Sequence, residues 1–354
     1  MLDSIRLLRG IAVGSVVLFH FKGVLSGVNS ELASLASHGG TYGVSLFFVI
    51  SGFVITMAME GKPAKSSEFM IRRIFRILPL ATVATILCYG LKYWFGWGVI
   101  PSPMDLLSSL LFLPLNNQAP PFYGYRVLPV QWTLTYELVF YTLFSLSLTV
   151  AKEHHYRMVA ALLVMMVFGL QALYGGWTLN AYEAPLVGGS GPIHGLMSLL
   201  ANPIFLFFTV GIGFARLYAL FEGLAVCPRY AWRWMLPISC GLWVLSAKLD
   251  MVGGTVFAIW SFWVVLLSER CIRSSRWVSC FTRLGDISYS LYLIHPIVYL
   301  FYEGLNKRWG NLGVDSSLYR LFVLILASVA LSALSYRWIE QPGIRLGKRI
   351  TAKI

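Results

Sequence analysis

The sequence predicts an all-α polytopic membrane protein of about ten transmembrane helices with both termini in the cytoplasm. Three observations carry this. The chain is 57% hydrophobic and only 12% charged, with mean hydropathy +0.70, well below the charge content of a soluble domain. Apolar runs recur at close to the ~20 residues that a helix needs to cross a bilayer. The Lys and Arg residues lie mostly in the short segments between those runs, unequally on alternate sides.

The first run covers 6–27, from Arg6 to Gly27. Nine more lie near 41–59, 77–96, 130–150, 158–175, 198–220, 234–249, 251–268, 287–304 and 318–338. A further stretch, 104–115, is too short to cross and reads as interfacial or re-entrant. Residues Ser34 to Ala36 would pass as a signal-peptide cleavage site, but a histidine inside the preceding apolar run argues for a retained span. With a cytoplasmic N-terminus, basic residues divide about three to one in favour of the inner segments. An eleventh span at 104–115 would throw the later basic loops outside. The net charge of +13 is therefore orientation charge, and no nucleic-acid partner is implied. Cys88, Cys227, Cys240, Cys271 and Cys280 show no metal-like spacing and read as free thiols; no metal is expected. The whole of 1–354 reads as one transmembrane domain with no internal repeat.

Polar residues inside the spans are the anomalies. Arg9 and His20 are eleven residues apart, about three turns plus 20°, so they share one helical face ~16 Å apart along the axis. An ionisable residue inside a span points to function, although His20 could also be satisfied by a neighbouring helix and Arg9 could simply set orientation. Glu137 lies ~10 Å into a span that enters from outside, at nearly the depth of His20. A carboxylate beside an imidazole would fix its tautomer and stabilise the imidazolium, a general-base arrangement; the bland reading is an inter-helical hydrogen bond. Tyr289, Tyr292 and His295, just before Pro296, would form a wall of the same cavity or a structural kink. Ser51-Gly52 interrupts the second span; close helix packing is the simpler reading, with Ser51 lining a substrate path as the other.

Arg72, Arg73 and Arg76 follow on the cytoplasmic side, Arg73 and Arg76 on one face. Arginine pairs hold phosphates; they also anchor to acidic lipid. Glu340 at the same side reads as a structural partner for this cluster. The long outer loops, 97–129 and 176–197, are rich in Pro, Gly, Asn and aromatics. They read equally as sugar-stacking surfaces or as connections with an interfacial aromatic belt. Nucleotide-binding, zinc and serine-hydrolase motifs are not found.

Taken together, Arg9-x10-His20, Gly43 to Phe53, Arg72 to Pro79, Trp132 to Glu137, Ser288 to Pro296 and Arg337 to Glu340 resemble the acyltransferase-3 family of integral membrane O-acyltransferases. The likeness is to the stand-alone form, without an extracytoplasmic hydrolase-like domain. Ala81 and Thr133 depart mildly from the family pattern, which usually has an aromatic near the first position and Ser at the second. The resemblance implies transfer of an acyl group, most often acetyl from acetyl-CoA as co-substrate, to a hydroxyl of a carbohydrate or glycolipid acceptor. It implies a multi-pass protein of the bacterial inner membrane. It makes His20 the essential catalytic residue, Glu137 the motif acid, and Arg9, Arg72, Arg73 and Arg76 coenzyme A contacts. The rival reading, a proton-coupled transporter or flippase of an anionic amphiphile, uses the same buried His and Glu. It predicts broken helix pairs and internal repeats, which the sequence lacks.

Overall fold

The computed structural model describes residues 2–61, 65–96, 99–125, 127–189, 191–221, 250–269, 276–310 and 317–353. Among these the regular structure is helical and includes no strand. The helices are α1 (Asp3–His20), α2 (Lys22–Ser26), α3 (Ser30–Met59), α4 (Ser66–Phe95), α5 (Pro103–Leu110), α6 (Trp132–Ala151) and α7 (His155–Leu173). There follow α8 (Pro192–Leu200), α9 (Phe205–Phe221), α10 (Asp250–Leu267), α11 (Arg276–Asp286), α12 (Ser288–Trp309), α13 (Ser317–Ser335) and α14 (Gln341–Thr351).

Among the described residues, five stretches are long and apolar enough to cross a membrane: Ser30–Met59, Ser66–Phe95, Pro129–Leu173, Pro192–Leu220 and Ser317–Thr351. The third contains both α6 and α7, parted where Lys152 takes a φ of 42°. Helix α1 carries Asp3, Arg6 and Arg9 within its 18 residues, which lowers its apolar character. The run expected at 234–249 lies outside the described residues. The stretch 104–115 forms only the eight-residue α5, capped by Ser102 and Asp105, too short to span.

Helix α1 stops short of the end of the apolar run expected at 6–27. Helix α1 ends at His20, the backbone turns at Phe21 (φ −94°, ψ 10°), and the chain restarts as the short α2. His20 therefore stands in the last turn of a helix rather than mid-helix.

The chain divides into two compact units, Met1–Gly61 with Phe207–Tyr289, and Lys62–Leu206 with Ser290–Ile354. In the first, α1 packs on α3, α10 and α11. Ile5, Leu8, Leu46, Val49, Phe53 and Phe262 lie at its core. Lipid-facing helices gain little from burying apolar surface against one another, so close backbone approach matters more. A Cβ at Gly10 would stand 2.1 Å from the Phe281 carbonyl oxygen, and one at Gly285 1.9 Å from that of Arg6. Only glycine lets α1 and α11 approach this closely. Gly52 does the same for α3 and α9, where a Cβ would meet the Phe208 oxygen at 2.2 Å. The packing reading of Ser51-Gly52 holds for the glycine.

In the second unit α4 packs against α6 and α14, and α6 against α7. The two long loops are locked to each other. The Tyr123 hydroxyl donates to the Ser198 carbonyl at 2.9 Å. Asn202 Nδ2 donates to Tyr123 at 3.3 Å and to the Ala181 carbonyl at 2.8 Å. Asn117 Nδ2 reaches the Gly189 carbonyl at 3.0 Å. The bonds of Tyr123 and Asn202 are buried, and that of Asn117 to Gly189 is exposed. Phe122 of the first loop meets the buried Trp132 of α6 and the exposed Tyr182 of the second loop edge to face, with centroids 5.1 and 5.8 Å from it.

Candidate active site

In the first unit, α1 carries both Arg9 and His20 and is anchored at its start. The side chain of its N-cap position, Leu2, makes no capping bond. Instead the Glu269 carboxylate accepts from the amides of Asp3 and Ser4 at 3.1 and 2.7 Å. That satisfies two orphan donors at the positive end of the helix. One turn on, Arg6 Nε donates to Asp286 Oδ1 at 2.8 Å and its Nη2 pairs with Oδ2, a two-point fork. The axial position and rotation of α1 are thereby fixed by groups far away in sequence.

Arg9 Nε donates to Ser288 Oγ at 3.0 Å, with Ser288 buried. Further up the same helix, His20 Nδ1 donates to the Val16 carbonyl at 2.9 Å. This bond sets the tautomer. In neutral imidazole the proton is on Nδ1, and Nε2 is the basic nitrogen. Both side chains are partly buried, as a polar stripe on one helical face requires. Ser51, on α3, and Tyr289, on α12, are partly buried members of the same unit.

In the second unit, Glu137 lies on α6, partly buried. It accepts from the Tyr141 hydroxyl one turn along the helix. Thr133, in the same motif, hydrogen-bonds Tyr292 of α12 at 3.0 Å, and Tyr292 also donates to the Val130 carbonyl at 3.1 Å. His295 is fully buried, its Nδ1 on the Leu291 carbonyl at 2.9 Å, and α12 continues through Pro296. Its ring lies 6.2 Å from that of Tyr292.

The arginine cluster divides. Arg72 is half exposed and donates to Thr351 Oγ1 of α14 at 3.0 Å, with Glu68 3.5 Å away. Arg73 turns to the α6 side, over the rings of Phe69 and Tyr141. Arg76 is partly buried one turn later. Glu340 is 3% exposed and accepts from Ser290 Oγ at 2.6 Å. It closes a π-helical turn, Tyr336–Glu340, a geometry frequent at functional sites.

Sequence reasoning missed three residues here. Ser288 stood in a quoted motif without a role. Tyr141 could have been found from its spacing of four from Glu137, which puts the two on one face. Asp286 gave no local signal, because its partner is 280 residues away.

Several apolar helices long enough to cross a bilayer point to a membrane protein. The chain belongs to the acyltransferase-3 family: the family model described as "Acyltransferase domain" matches residues 2–337. It is 26% identical over 325 residues to the "Exopolysaccharide production protein ExoZ" of Rhizobium meliloti (strain 1021), covering 88% of this chain and 93% of that one. It is 25% identical over 335 residues to "Nodulation protein 10" of Rhizobium leguminosarum bv. viciae, covering 88% and 84%. A Staphylococcus aureus (strain COL) protein named as a "Putative O-acetyltransferase" is 23% identical over 380 residues, spanning 95% of this chain and 56% of that protein. No solved structure matches the chain significantly.

Proposed function

We propose that the chain is a membrane O-acyltransferase. It takes acetyl from cytoplasmic acetyl-CoA and places it on a hydroxyl of a carbohydrate, a surface polysaccharide or a lipid-linked sugar, at a bacterial inner membrane. The family match and the printed names of the relatives support the acyl transfer and the polysaccharide class. The observation that carries the mechanism is the His20 tautomer: Nδ1 is committed to the Val16 carbonyl, which leaves Nε2 as the base.

In this reading the polyanionic coenzyme is held by cytoplasmic guanidinium groups, Arg9 among them. His20 Nε2 takes the acceptor hydroxyl proton as the oxygen attacks the thioester carbonyl carbon. The C–O bond forms, the C–S bond breaks, and the proton passes from His20 to the leaving thiolate. Glu137 is the second catalytic group. The ten spans and the cytoplasmic termini belong to this proposal, resting on the basic-residue asymmetry.

The test is transfer of radiolabelled acetyl from acetyl-CoA by purified protein to lipid-linked glycans and polysaccharide extracted from the producing cells. Alkali-labile label in the glycan, with stoichiometric release of free thiol, is expected. Passage of an amphiphile across proteoliposomes with no ester formed would overturn the reading in favour of a transporter.

A further inference from the structure

The arginines at 72, 73 and 76 form one run in sequence, but Arg73 faces a different environment from Arg72. Its guanidinium lies 5.3 Å from the Phe69 ring centroid and 5.6 Å from that of Tyr141. Phe69 is four residues before Arg73 on α4, and Glu137 is four before Tyr141 on α6. The two helices thus interleave a pair each. Phe69 and Tyr141 meet edge to face at 6.0 Å, and both are buried, at 3% and 2% exposure. The Tyr141 hydroxyl donates to Glu137 Oε1.

We infer that Arg73 is a positioning residue for Glu137, acting through Tyr141, and is not a ligand of the coenzyme phosphates. This inference rests on the proposed acyl transfer and on Glu137 being catalytic. Three physical points favour it. The phenol oxygen can accept from the guanidinium while its proton points to the carboxylate, so charge and hydrogen bonds run in one direction. Two aromatic rings against the guanidinium supply cation–π attraction and fix its plane. A phosphate docked on Arg73 would also share that cation with Glu137, a like charge at close range. Arg72, with its side chain 52% exposed, is open to a phosphate in a way that Arg73 is not.

The experiment compares purified Arg73→Gln, Arg73→Lys, Tyr141→Phe and Arg76→Gln with the parent protein. Coenzyme A binding is measured by calorimetry, and turnover is measured at saturating acetyl-CoA with the extracted glycans as acceptor. For Arg73→Gln and Tyr141→Phe, turnover is expected to fall on the order of 100-fold, while coenzyme A affinity stays within about threefold of the parent, a change under 1 kcal/mol. Arg73→Lys, which keeps the charge, regains part of that turnover. Arg76→Gln weakens coenzyme A binding instead. Weakening of coenzyme A binding by Arg73→Gln at least as large as by Arg76→Gln, with turnover at saturation retained, overturns the inference. Should Arg73→Gln fail to fold, Tyr141→Phe decides alone: it removes one oxygen, and unchanged turnover overturns the inference. A parent protein that forms no ester refutes the acyl-transfer reading itself, which is a separate outcome.

Discussion

Arg9 of α1 donates through Nε to the Ser288 hydroxyl at 3.0 Å, across 279 residues of sequence. The bond aims a guanidinium on the helix that also carries His20, and it ties the opening motif to the Ser288–Pro296 motif. A hydrogen bond to a charged group is worth about 1.5–3 kcal/mol. Ser288→Ala is therefore expected to raise the KM for acetyl-CoA about tenfold with little change in kcat, and Arg9→Ala to raise it further. Initial-rate measurements over acetyl-CoA concentration check this. An unchanged KM in Ser288→Ala would show that Arg9 is aimed by something else.

The Arg6–Asp286 fork seats α1 on α11. Both side chains keep about a third of their exposure, so solvent screening limits the gain. Arg6→Ala and Asp286→Ala should each cost about 1–2 kcal/mol, and the double variant should cost less than their sum. Thermal unfolding in detergent reads this. Strict additivity would mean that the two charges do not act as a pair.

Gly52 and Gly211 mark a close approach of α3 and α9, a Cβ at Gly52 lying 2.2 Å from the Phe208 oxygen and one at Gly211 2.1 Å from that of Val49. Gly52→Leu must push backbone apart, and a loss of more than about 3 kcal/mol is expected, beyond ordinary overpacking. Gly213→Ala, on α9 where an added Cβ meets nothing within 4 Å, should change stability by no more than about 1 kcal/mol. Size-exclusion profiles and melting curves of the two variants test the contrast. Equal stability of Gly52→Leu and the parent would refute the packing account.

The loop lock gives a pH dependence. Burial pushes the Tyr123 phenol up to about 12 from its ordinary 10.0. Above the unfolded value, the unfolded chain sheds a proton that the folded one keeps. Stability from this group is thus fully present below pH ~10 and falls by about 1.4 kcal/mol per pH unit until the folded value is reached. The loops should open between roughly pH 10 and 12, as read by proteolysis of 111–128, and Tyr123→Phe should flatten that step. A Tyr123→Phe profile identical to the parent would place the alkaline transition elsewhere.

Much of this architecture is legible in the chain, because bilayer physics leaves few choices. Phe95, the end of α4, and Ser317, the start of α13, each lie within one residue of an end of the runs 77–96 and 318–338, and 104–115 gives only an eight-residue helix, too short to span. The shared face of Arg9 and His20 follows from helical period alone. The stop of α1 at His20 was not readable, because the apolar run continues past Phe21 and no proline marks the break. Nor was the divergence of Arg72 from Arg73: neighbouring helix positions point ~100° apart, and which face meets α6 and which meets α14 is decided by tertiary packing. The same holds for Glu269 capping α1 and for the interlocked loops, whose partners lie tens to hundreds of residues away.

The central claim is that His20 Nε2 is the base for acyl transfer, and His20→Ala tests it most directly. Ester formation from radiolabelled acetyl-CoA is measured for the purified variant beside coenzyme A binding and thermal melting. The account predicts a loss of at least ~100-fold, the lower end of what general-base catalysis contributes, with binding and melting close to the parent. Ester formation by His20→Ala within about threefold of the parent would contradict it.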